Sequence, residues 1–169
     1  FIGTSIPYQS GYDGSGIIIS IIDTGIDLNH PDLDGQIIGG YDFVDNDEVP
    51  EDINGHGTQV AGIIASNGNL KGIAPNSKIL MYKVSEDGES VPSNLIIKAI
   101  EKSIEDGADI INISLGINQT NTKIDQAVNK AIKNNIFVVT AAGNFGPELS
   151  TIGSPGINPN AITVGATFN

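Results

Sequence analysis

The stretch GIIISIIDTGID, residues 16–27, decides the fold. Its isoleucine run from Gly16 to Asp23 is too continuous for a strand with one wet face, because such a strand alternates apolar and polar residues. The run therefore predicts a strand buried on both faces, which is typical of a parallel sheet covered by helices. Asp23 ends the run and Gly25 permits a sharp turn, so we expect a carboxylate at the carboxyl end of a central strand.

The rest of the chain alternates strand patterns with helix patterns. Four further apolar runs predict strands, at residues 78–84, 108–116, 136–144 and 161–167. Three segments with helical periodicity precede the later runs, at residues 56–66, 93–107 and 122–135. Strands that alternate with helices pair in parallel through right-handed crossovers. We therefore expect one α/β domain over residues 1–169, with a doubly wound, mainly parallel sheet and helices on both faces.

Two of the helix patterns carry specific expectations. In the segment HGTQVAGIIAS, residues 56–66, the side chains of Val60, Ile63 and Ile64 are predicted to form the buried face. Ser93 is predicted to cap the N-terminus of the next helix, and Gly107 to follow its end. Because functional groups of such sheets lie past the carboxyl ends of the strands, polar residues there are the candidates for chemistry.

Composition limits the kinds of partner. The chain has 169 residues, 39% of them hydrophobic, which suffices for one domain with a packed core. The formal net charge of −12 predicts no binding to nucleic acid or to anionic membranes, because both present phosphate charges. No apolar run reaches the roughly 20 residues needed to cross a bilayer. There are no cysteines, which excludes disulfides and thiolate metal sites.

Three polar residues are candidates for catalysis. Asp23 can orient a histidine, and His56 lies between two glycines at a predicted helix start, where an uncovered imidazole can act as a general base. Asn144 follows a predicted strand and can donate its amide to an oxyanion. Each residue alone also fits a structural role. The DTG triplet at Asp23 occurs in aspartic proteases too, but those are all-β proteins with two such aspartates, so that class is rejected.

Taken together, the motifs resemble those of the subtilisin-like serine proteases, the subtilases. The motifs are DTGID followed by HPDL, then GHGT with VAG, then INISLG and AAGN, in that order. The resemblance runs from about Gly11 to the C-terminus. It implies that Asp23 orients His56, that His56 takes the proton of a serine, and that Asn144 supplies the side-chain half of the oxyanion hole.

The resemblance also implies two segments that bind an extended substrate as an added β-strand. The residues that match these segments are Gly88, Glu89 and Ser90 in one, and Ser114, Leu115 and Gly116 in the other. Backbone pairing of this kind gives affinity for any extended peptide, so polypeptides are the expected substrates.

An acidic loop before His56 resembles the calcium loop of thermitase-type subtilases. The resemblance implies that Asp42, Asp47 and Glu51 bind through their side chains and Val49 through its carbonyl, and Asp45 is a further oxygen donor in the loop. Oxygen atoms from a flexible loop are the ligands that Ca²⁺ prefers. Calcium is therefore the expected structural cofactor, and a solvated acidic loop is the alternative.

The nucleophile of the family is not where the resemblance places it. Subtilases carry it in a GTSMA-x-P motif after the oxyanion asparagine, and no such motif follows Asn144. GTS does occur at residues 3–5, but Ser5 precedes Ile6 and Pro7, and Pro7 disfavours helical backbone at Ile6. We expect Ser5 to be a coincidence and the chain to be the first part of a catalytic domain, with the missing C-terminal part as its partner. A circular permutation is the alternative.

The sequence thus predicts a serine endopeptidase of subtilisin type. The alternative is a catalytically inert fragment or scaffold that binds peptide or a partner chain. A nucleotide-binding domain is excluded, because no glycine-rich phosphate loop follows the first strand and Asp23 would repel phosphate there. The expected location is extracellular or at the cell surface, with the cytoplasm as the alternative, since no signal peptide opens the chain.

Overall fold

The computed structural model of the protein describes residues 5–89 and 91–167. In that part of the chain the strands are β1 (Ile18–Asp23), β2 (Ile37–Asp42), β3 (Lys78–Lys83), β4 (Ile110–Ile113), β5 (Phe137–Ala141) and β6 (Ile162–Val164). The helices are α1 (Ser5–Gln9), α2 (His56–Ala65), α3 (Ser93–Glu105) and α4 (Thr122–Lys133), and a 3₁₀ turn covers Pro31–Leu33. None of these helices combines the length and the apolar character needed to cross a membrane.

The strands of this region form one sheet in the order β2-β3-β1-β4-β5-β6, and every neighbouring pair is parallel. β1 lies between β3 and β4, so the chain passes from one side of β1 to the other after β3. The strand order reverses at this point, and in doubly wound sheets ligands bind beyond the carboxyl ends of the strands there. The predicted doubly wound, parallel α/β fold is confirmed.

β1 is buried on both faces, as its isoleucine run predicts. Ile19 and Ile21 pack with Ile79 and Met81 in the core that α2 covers. Ile22 points to the opposite face, into the larger core beneath α3 and α4. Because alternate side chains of β1 enter two cores, the strand and the carboxylate at its end are held from both sides.

The buried face of α2 matches the predicted one only in part. Val60 and Ile64 are half-buried and pack against the core beneath the helix, whereas Ile63 is 66% exposed. The fully buried residues of the helix are its small ones, Gly57, Ala61 and Ala65. Small side chains let the helix approach the sheet closely, and a large side chain does not fit into that narrow space. The prediction is therefore wrong for Ile63, and it omits the small residues that make the closest contact with the sheet.

Two further expectations about local structure also fail. Ser93 is the first residue of α3 rather than its cap, and Pro92 takes the cap position without a side-chain hydrogen bond. β2 was not expected at all, because the pair Gly39 and Gly40 interrupts its apolar pattern. A Cβ on Gly40 would collide with the backbone of Met81 in β3, so glycine is what allows these two strands to lie together.

The N-terminal helix α1 contains Pro7, contrary to the expectation of non-helical backbone at Ile6. Proline is tolerated in the first turn of a helix, where its missing N–H would have no acceptor. The hydroxyl of Tyr8 lies 2.8 Å from the carbonyl of Gly72 and 2.9 Å from that of Ile73. Gly72 in turn bonds to Ser66, so α1 is anchored at the end of α2 that is remote from His56.

Asp32 holds the short loop that follows α2. Its carboxylate accepts hydrogen bonds from the backbone nitrogens of Asn69 at 3.0 Å and Leu70 at 3.3 Å. A Cβ on Gly68 would collide with this carboxylate, so the loop fits around Asp32 only with glycine there. The carboxylate therefore caps backbone groups at the C-terminal side of α2.

Candidate active site

Asp23 and His56 are in direct contact. Asp23 is the last residue of β1 and is fully buried, and His56 is the first residue of α2. The Nδ1 atom of His56 lies 2.7 Å from Oδ1 of Asp23, and the imidazole is 47% exposed. The same carboxylate oxygen accepts the backbone N–H of Thr24 at 2.8 Å. The sequence places both residues correctly, and the structure joins them into a pair with one buried and one accessible partner.

Close contact between two backbone segments makes this pairing possible. Gly25 turns the chain after β1 with a φ of 116°, a conformation that favours glycine. Gly57 of α2 packs against this turn, and a Cβ on Gly57 would collide with the carbonyl oxygen of Gly25. The two glycines therefore bring the start of α2 to within hydrogen-bonding distance of the end of β1.

Asp52 receives hydrogen bonds from both of these elements. Its Oδ1 accepts from the backbone nitrogens of Asn54 (3.1 Å) and Gly55 (2.8 Å) and from the hydroxyl of Thr24 (3.0 Å). Its Oδ2 accepts from the backbone nitrogen (2.9 Å) and the hydroxyl (2.6 Å) of Thr58. Burial alone would raise the pKa of Asp52, but these bonds outweigh burial and hold the pKa below its ordinary value. A charged carboxylate thus caps a helix whose own cap residue, Gly55, has no side chain.

His56 borders a cleft of about 680 Å³. The cleft is lined by segments 87–89, 114–117 and 141–145 together with Asn54, His56, Gly153 and Ser154. The structure thus brings Asn144 and five of the expected substrate-binding residues to the same cleft as His56. These five are Gly88, Glu89, Ser114, Leu115 and Gly116, whereas Ser90 lies outside the described residues. Their roles in binding and catalysis stay predictions.

The segment at residues 153–154 forms part of the cleft and was not predicted from the sequence. The backbone nitrogen of Ile117 donates to the carbonyl of Ser154 at 2.9 Å, and the nitrogen of Ser154 donates to the carbonyl of Gln119 at the same distance. A Cβ on Gly153 would collide with the carbonyl of Ile117. No local motif marks this long-range pairing, so the spacing of residues could not have revealed it.

Asn54 is a second residue that the sequence analysis missed. It stands two positions before His56, and its side-chain amide donates to the carbonyl of Asp87 at 3.0 Å. The bond ties the segment 87–89 to the start of α2. Asp87 and Glu89 are the charged residues among the described lining of the cleft, and both are acidic. Any molecule that enters the cleft therefore meets negative charge on this side.

The acidic loop proposed to hold calcium is closed by hydrogen bonds of its own. Asp42 is buried, and its Oδ1 accepts from the backbone nitrogens of Val44 at 2.7 Å and Asp45 at 3.0 Å. The carboxylate of Asp47 accepts from the nitrogen of Val49 at 2.8 Å. Two of the expected ligands thus already serve as acceptors for the loop backbone.

The ammonium group of Lys83 lies close to two of the expected ligands, Asp42 and Glu51. The Nζ atom of Lys83 lies 3.3 Å from Oδ2 of Asp42, 3.2 Å from Oε1 of Glu86 and 3.0 Å from the carbonyl of Glu51. Burial alone would lower the pKa of Lys83, but the bonds to Glu86 and Asp42 outweigh burial and raise it. Within the described residues, no three histidine or acidic side chains are grouped so that they could hold a metal. Calcium binding by this loop stays a prediction.

The sequence matches one protein family and several known proteins. The family model of the subtilases matches residues 14–169. The minor extracellular protease Vpr of Bacillus subtilis is 42% identical over 181 residues, which cover 99% of this chain and 22% of Vpr. Thermitase of Thermoactinomyces vulgaris is 42% identical over 159 residues, which cover 92% of this chain and 56% of thermitase.

Solved structures also superpose on the chain. A cold adapted subtilisin-like serine proteinase superposes with a TM-score of 0.84 at 35% identity, over 93% of this chain and 57% of its own. Sphericase superposes with a TM-score of 0.83 at 38% identity, over 89% of this chain and 53% of its own. The chain thus spans about half the length of these structures and of thermitase, and a smaller share of Vpr. By sequence and by fold, the chain belongs to the subtilase family.

Proposed function

We propose that this chain is part of a serine endopeptidase of subtilisin type whose substrates are polypeptides. One observation carries the proposal: the buried carboxylate of Asp23 holds Nδ1 of a half-exposed His56 at the border of the cleft. A carboxylate on Nδ1 keeps the proton on that nitrogen and leaves Nε2 with a lone pair. That lone pair is what a general base needs.

In this proposal His56 takes the proton of a serine hydroxyl while the serine oxygen attacks the carbonyl carbon of the scissile bond. Asp23 stays ionised and stabilises the imidazolium. His56 then gives the proton to the leaving amine as the carbon–nitrogen bond breaks, which leaves an acyl-enzyme. Water repeats the same two proton transfers, and the serine and the free carboxyl product result.

Asn144 is proposed to donate its side-chain amide to the oxyanion that forms on the carbonyl. Its exposure in the cleft that His56 borders supports this role. Loss of the equivalent donor in a subtilisin costs about 10²–10³ in kcat, so the magnitude here is taken from a relative. The backbone of Gly88–Ser90 and of Ser114–Gly116 is proposed to pair with the substrate as an added strand.

The nucleophilic serine is proposed to lie on a C-terminal part of the catalytic domain that these 169 residues do not include. Ser114 and Ser154 border the cleft, but Ser114 accepts a hydrogen bond from Asn112 at 2.8 Å and Ser154 donates to Asp125 at 2.9 Å. Within the described residues, no serine hydroxyl is bonded to the imidazole of His56. The inert-scaffold alternative shares this geometry and differs only in the nucleophile.

Labelling with a fluorophosphonate tests the proposal. The intact protein is treated with the probe and the modified peptide is mapped by mass spectrometry, with His56→Ala as the matched control. We expect label on a serine beyond residue 169, and at least a hundredfold slower labelling of the control. No label in either protein would support the inert scaffold, and label on Ser5 would mean a permuted enzyme.

Calcium is proposed only as a structural ligand of the loop at residues 42–51, and no catalytic step depends on it. A calcium ion bound there would share the carboxylate of Asp42 with the ammonium group of Lys83. Thermal unfolding with and without EDTA tests this: a lower melting temperature in EDTA is expected, and an unchanged one would remove calcium from the proposal.

We propose an extracellular or cell-surface location. The similarity to an extracellular protease of Bacillus subtilis supports it. A major intracellular serine protease of the same organism is 44% identical over 148 residues, so the cytoplasm is the alternative. Immunoblots of culture medium and cell extract distinguish the two locations.

A further inference from the structure

Thr24 joins Asp52 to both members of the Asp23–His56 pair. Its backbone nitrogen donates to Oδ1 of Asp23 at 2.8 Å, the same oxygen that contacts His56. Its hydroxyl donates to Asp52 at 3.0 Å and accepts from the backbone nitrogen of Gly57 at 2.9 Å. A ring of hydrogen bonds therefore runs from Asp23 through Thr24 and Asp52 to the backbone on both sides of His56.

Asp52 makes more hydrogen bonds than the capping of α2 requires. A capping side chain satisfies the free N–H groups of its own helix, as Asp52 does for Gly55 and Thr58. The bond from Asp52 to the hydroxyl of Thr24 adds something else, because Thr24 directly follows the strand that carries Asp23. One carboxylate thus contacts the element that carries the imidazole and the segment that carries its partner.

We propose that Asp52 is a positioning residue, which fixes the imidazole of His56 at hydrogen-bonding distance from Asp23. The Nδ1–Oδ1 distance is 2.7 Å, and a displacement of about 1 Å would take it out of hydrogen-bonding range. Misplacement of this size costs about 10²-fold in rate. The proposal rests on the proposed function for its catalytic meaning, but the position of the imidazole can be measured without turnover.

The test compares Asp52→Asn with Asp32→Asn in the intact protein. Each change removes one negative charge from a side chain that accepts two or more backbone N–H bonds. Asp32 is the control because it lies at the other end of α2. The first readout is the NMR signal of the Nδ1 proton of His56, which a short bond to a buried carboxylate deshields and protects from exchange. The second readout is kcat and KM for a peptide substrate.

For Asp52→Asn we expect exchange of the Nδ1 proton to become at least tenfold faster. We also expect kcat to fall by about 10–100-fold while KM changes by less than about twofold. Asp32→Asn should lower the melting temperature and leave both readouts unchanged. Thr24→Val should reproduce the effect on the Nδ1 proton, and Thr24→Ser, which keeps the hydroxyl, should restore it.

The proposal is overturned if Asp52→Asn lowers the melting temperature but leaves the Nδ1 proton as in the wild type, since Asp52 would then be a helix cap only. If Asp52→Asn does not fold, the pair Thr24→Val and Thr24→Ser decides in the same way. A wild-type protein without peptidase activity would contradict the proposed function, and the comparison of the Nδ1 protons would still decide the role of Asp52.

Discussion

Replacing Gly57 with alanine tests how closely α2 must approach β1. Gly57 follows His56 in the helix and is buried. A methyl group on its Cα would collide with the carbonyl oxygen of Gly25, and would lie 3.1 Å from the nitrogen of Gly25 and 3.2 Å from Cβ of Asp23. Because the first two atoms are backbone atoms of the turn after β1, no rotation of a side chain can relieve the overlap.

The size of the effect follows from the overlap. Non-bonded atoms rest roughly 3.5 Å apart, so the start of α2 has to retreat by about 1 Å. Overpacking costs about 1–3 kcal/mol, against about 1 kcal/mol that alanine gains over glycine in a helix. Because the overlap is with backbone atoms, we expect the upper end of this range, a net loss of about 2 kcal/mol in the free energy of unfolding. The retreat also breaks the contact between His56 and Asp23, so kcat/KM should fall by about 10²-fold.

Urea unfolding and peptide hydrolysis measure the two effects, and Gly62→Ala is the matched control. Gly62 lies in the same helix, and nothing is within 4 Å of a Cβ built on it. The control should gain up to about 1 kcal/mol of stability and keep its activity. Wild-type stability and wild-type kcat/KM in Gly57→Ala would refute the reasoning, because they would mean that the helix start can move without consequence.

Three other changes have expected outcomes. Lys83→Met leaves the buried carboxylate of Asp42 without its cation and should lower the free energy of unfolding in urea by about 3 kcal/mol. Adding Asp42→Asn should recover at least half of this loss. A loss below about 0.5 kcal/mol for Lys83→Met would contradict the ion pair. Burial would raise the pKa of Asp106, but bonds from Lys102 and Tyr82 outweigh burial and lower it. Above its ordinary pKa of 3.8 this carboxylate contributes fully to stability, and it loses that contribution as the pH falls through the lowered pKa. Below about pH 5, the stability of Asp106→Asn should therefore decline less steeply than that of the wild type. Parallel acid-unfolding curves for the two proteins would count against it. Glu89→Gln should lower the ratio of kcat/KM for peptides with Lys near the cleaved bond to kcat/KM for matched peptides with Gln by about 2–5-fold, and high salt should reduce this difference because it screens charge. An unchanged ratio would show that the cleft does not sense charge at Glu89.

Strand β1 could be predicted from sequence and β2 could not, for a physical reason. The isoleucines of β1 report burial on both faces directly. In β2 the glycines that permit contact with β3 remove the side chains whose alternation would have marked a strand. On α2 the prediction is wrong for Ile63 for a related reason, since Ile63 carries the stronger apolar signal while Gly57 makes the tighter contact.

The residues of the candidate site also include some that the sequence could predict and some that it could not. The residues alone left Asp23, His56 and Asn144 with structural alternatives, and the order of the motifs identified the family. Asp52 carried no signal, because its role depends on a hydroxyl 28 positions away and on backbone groups that any sequence has. Periodicity reports burial, and it contains no information on which acceptor a long-range donor will find.

The distribution of the site over rigid and irregular segments has a consequence for how such a protein can diversify. Asp23 and His56 lie on a strand and a helix that are locked by close backbone contact, whereas the lining of the cleft comes mainly from loops at residues 87–89, 114–117 and 142–145. In the proposed function, new substrate preferences can therefore arise by loop substitutions that leave the contact between Asp23 and His56 intact. Asn54 sets a boundary to this freedom, because its bond to Asp87 transmits any displacement of the first loop to the residues beside His56.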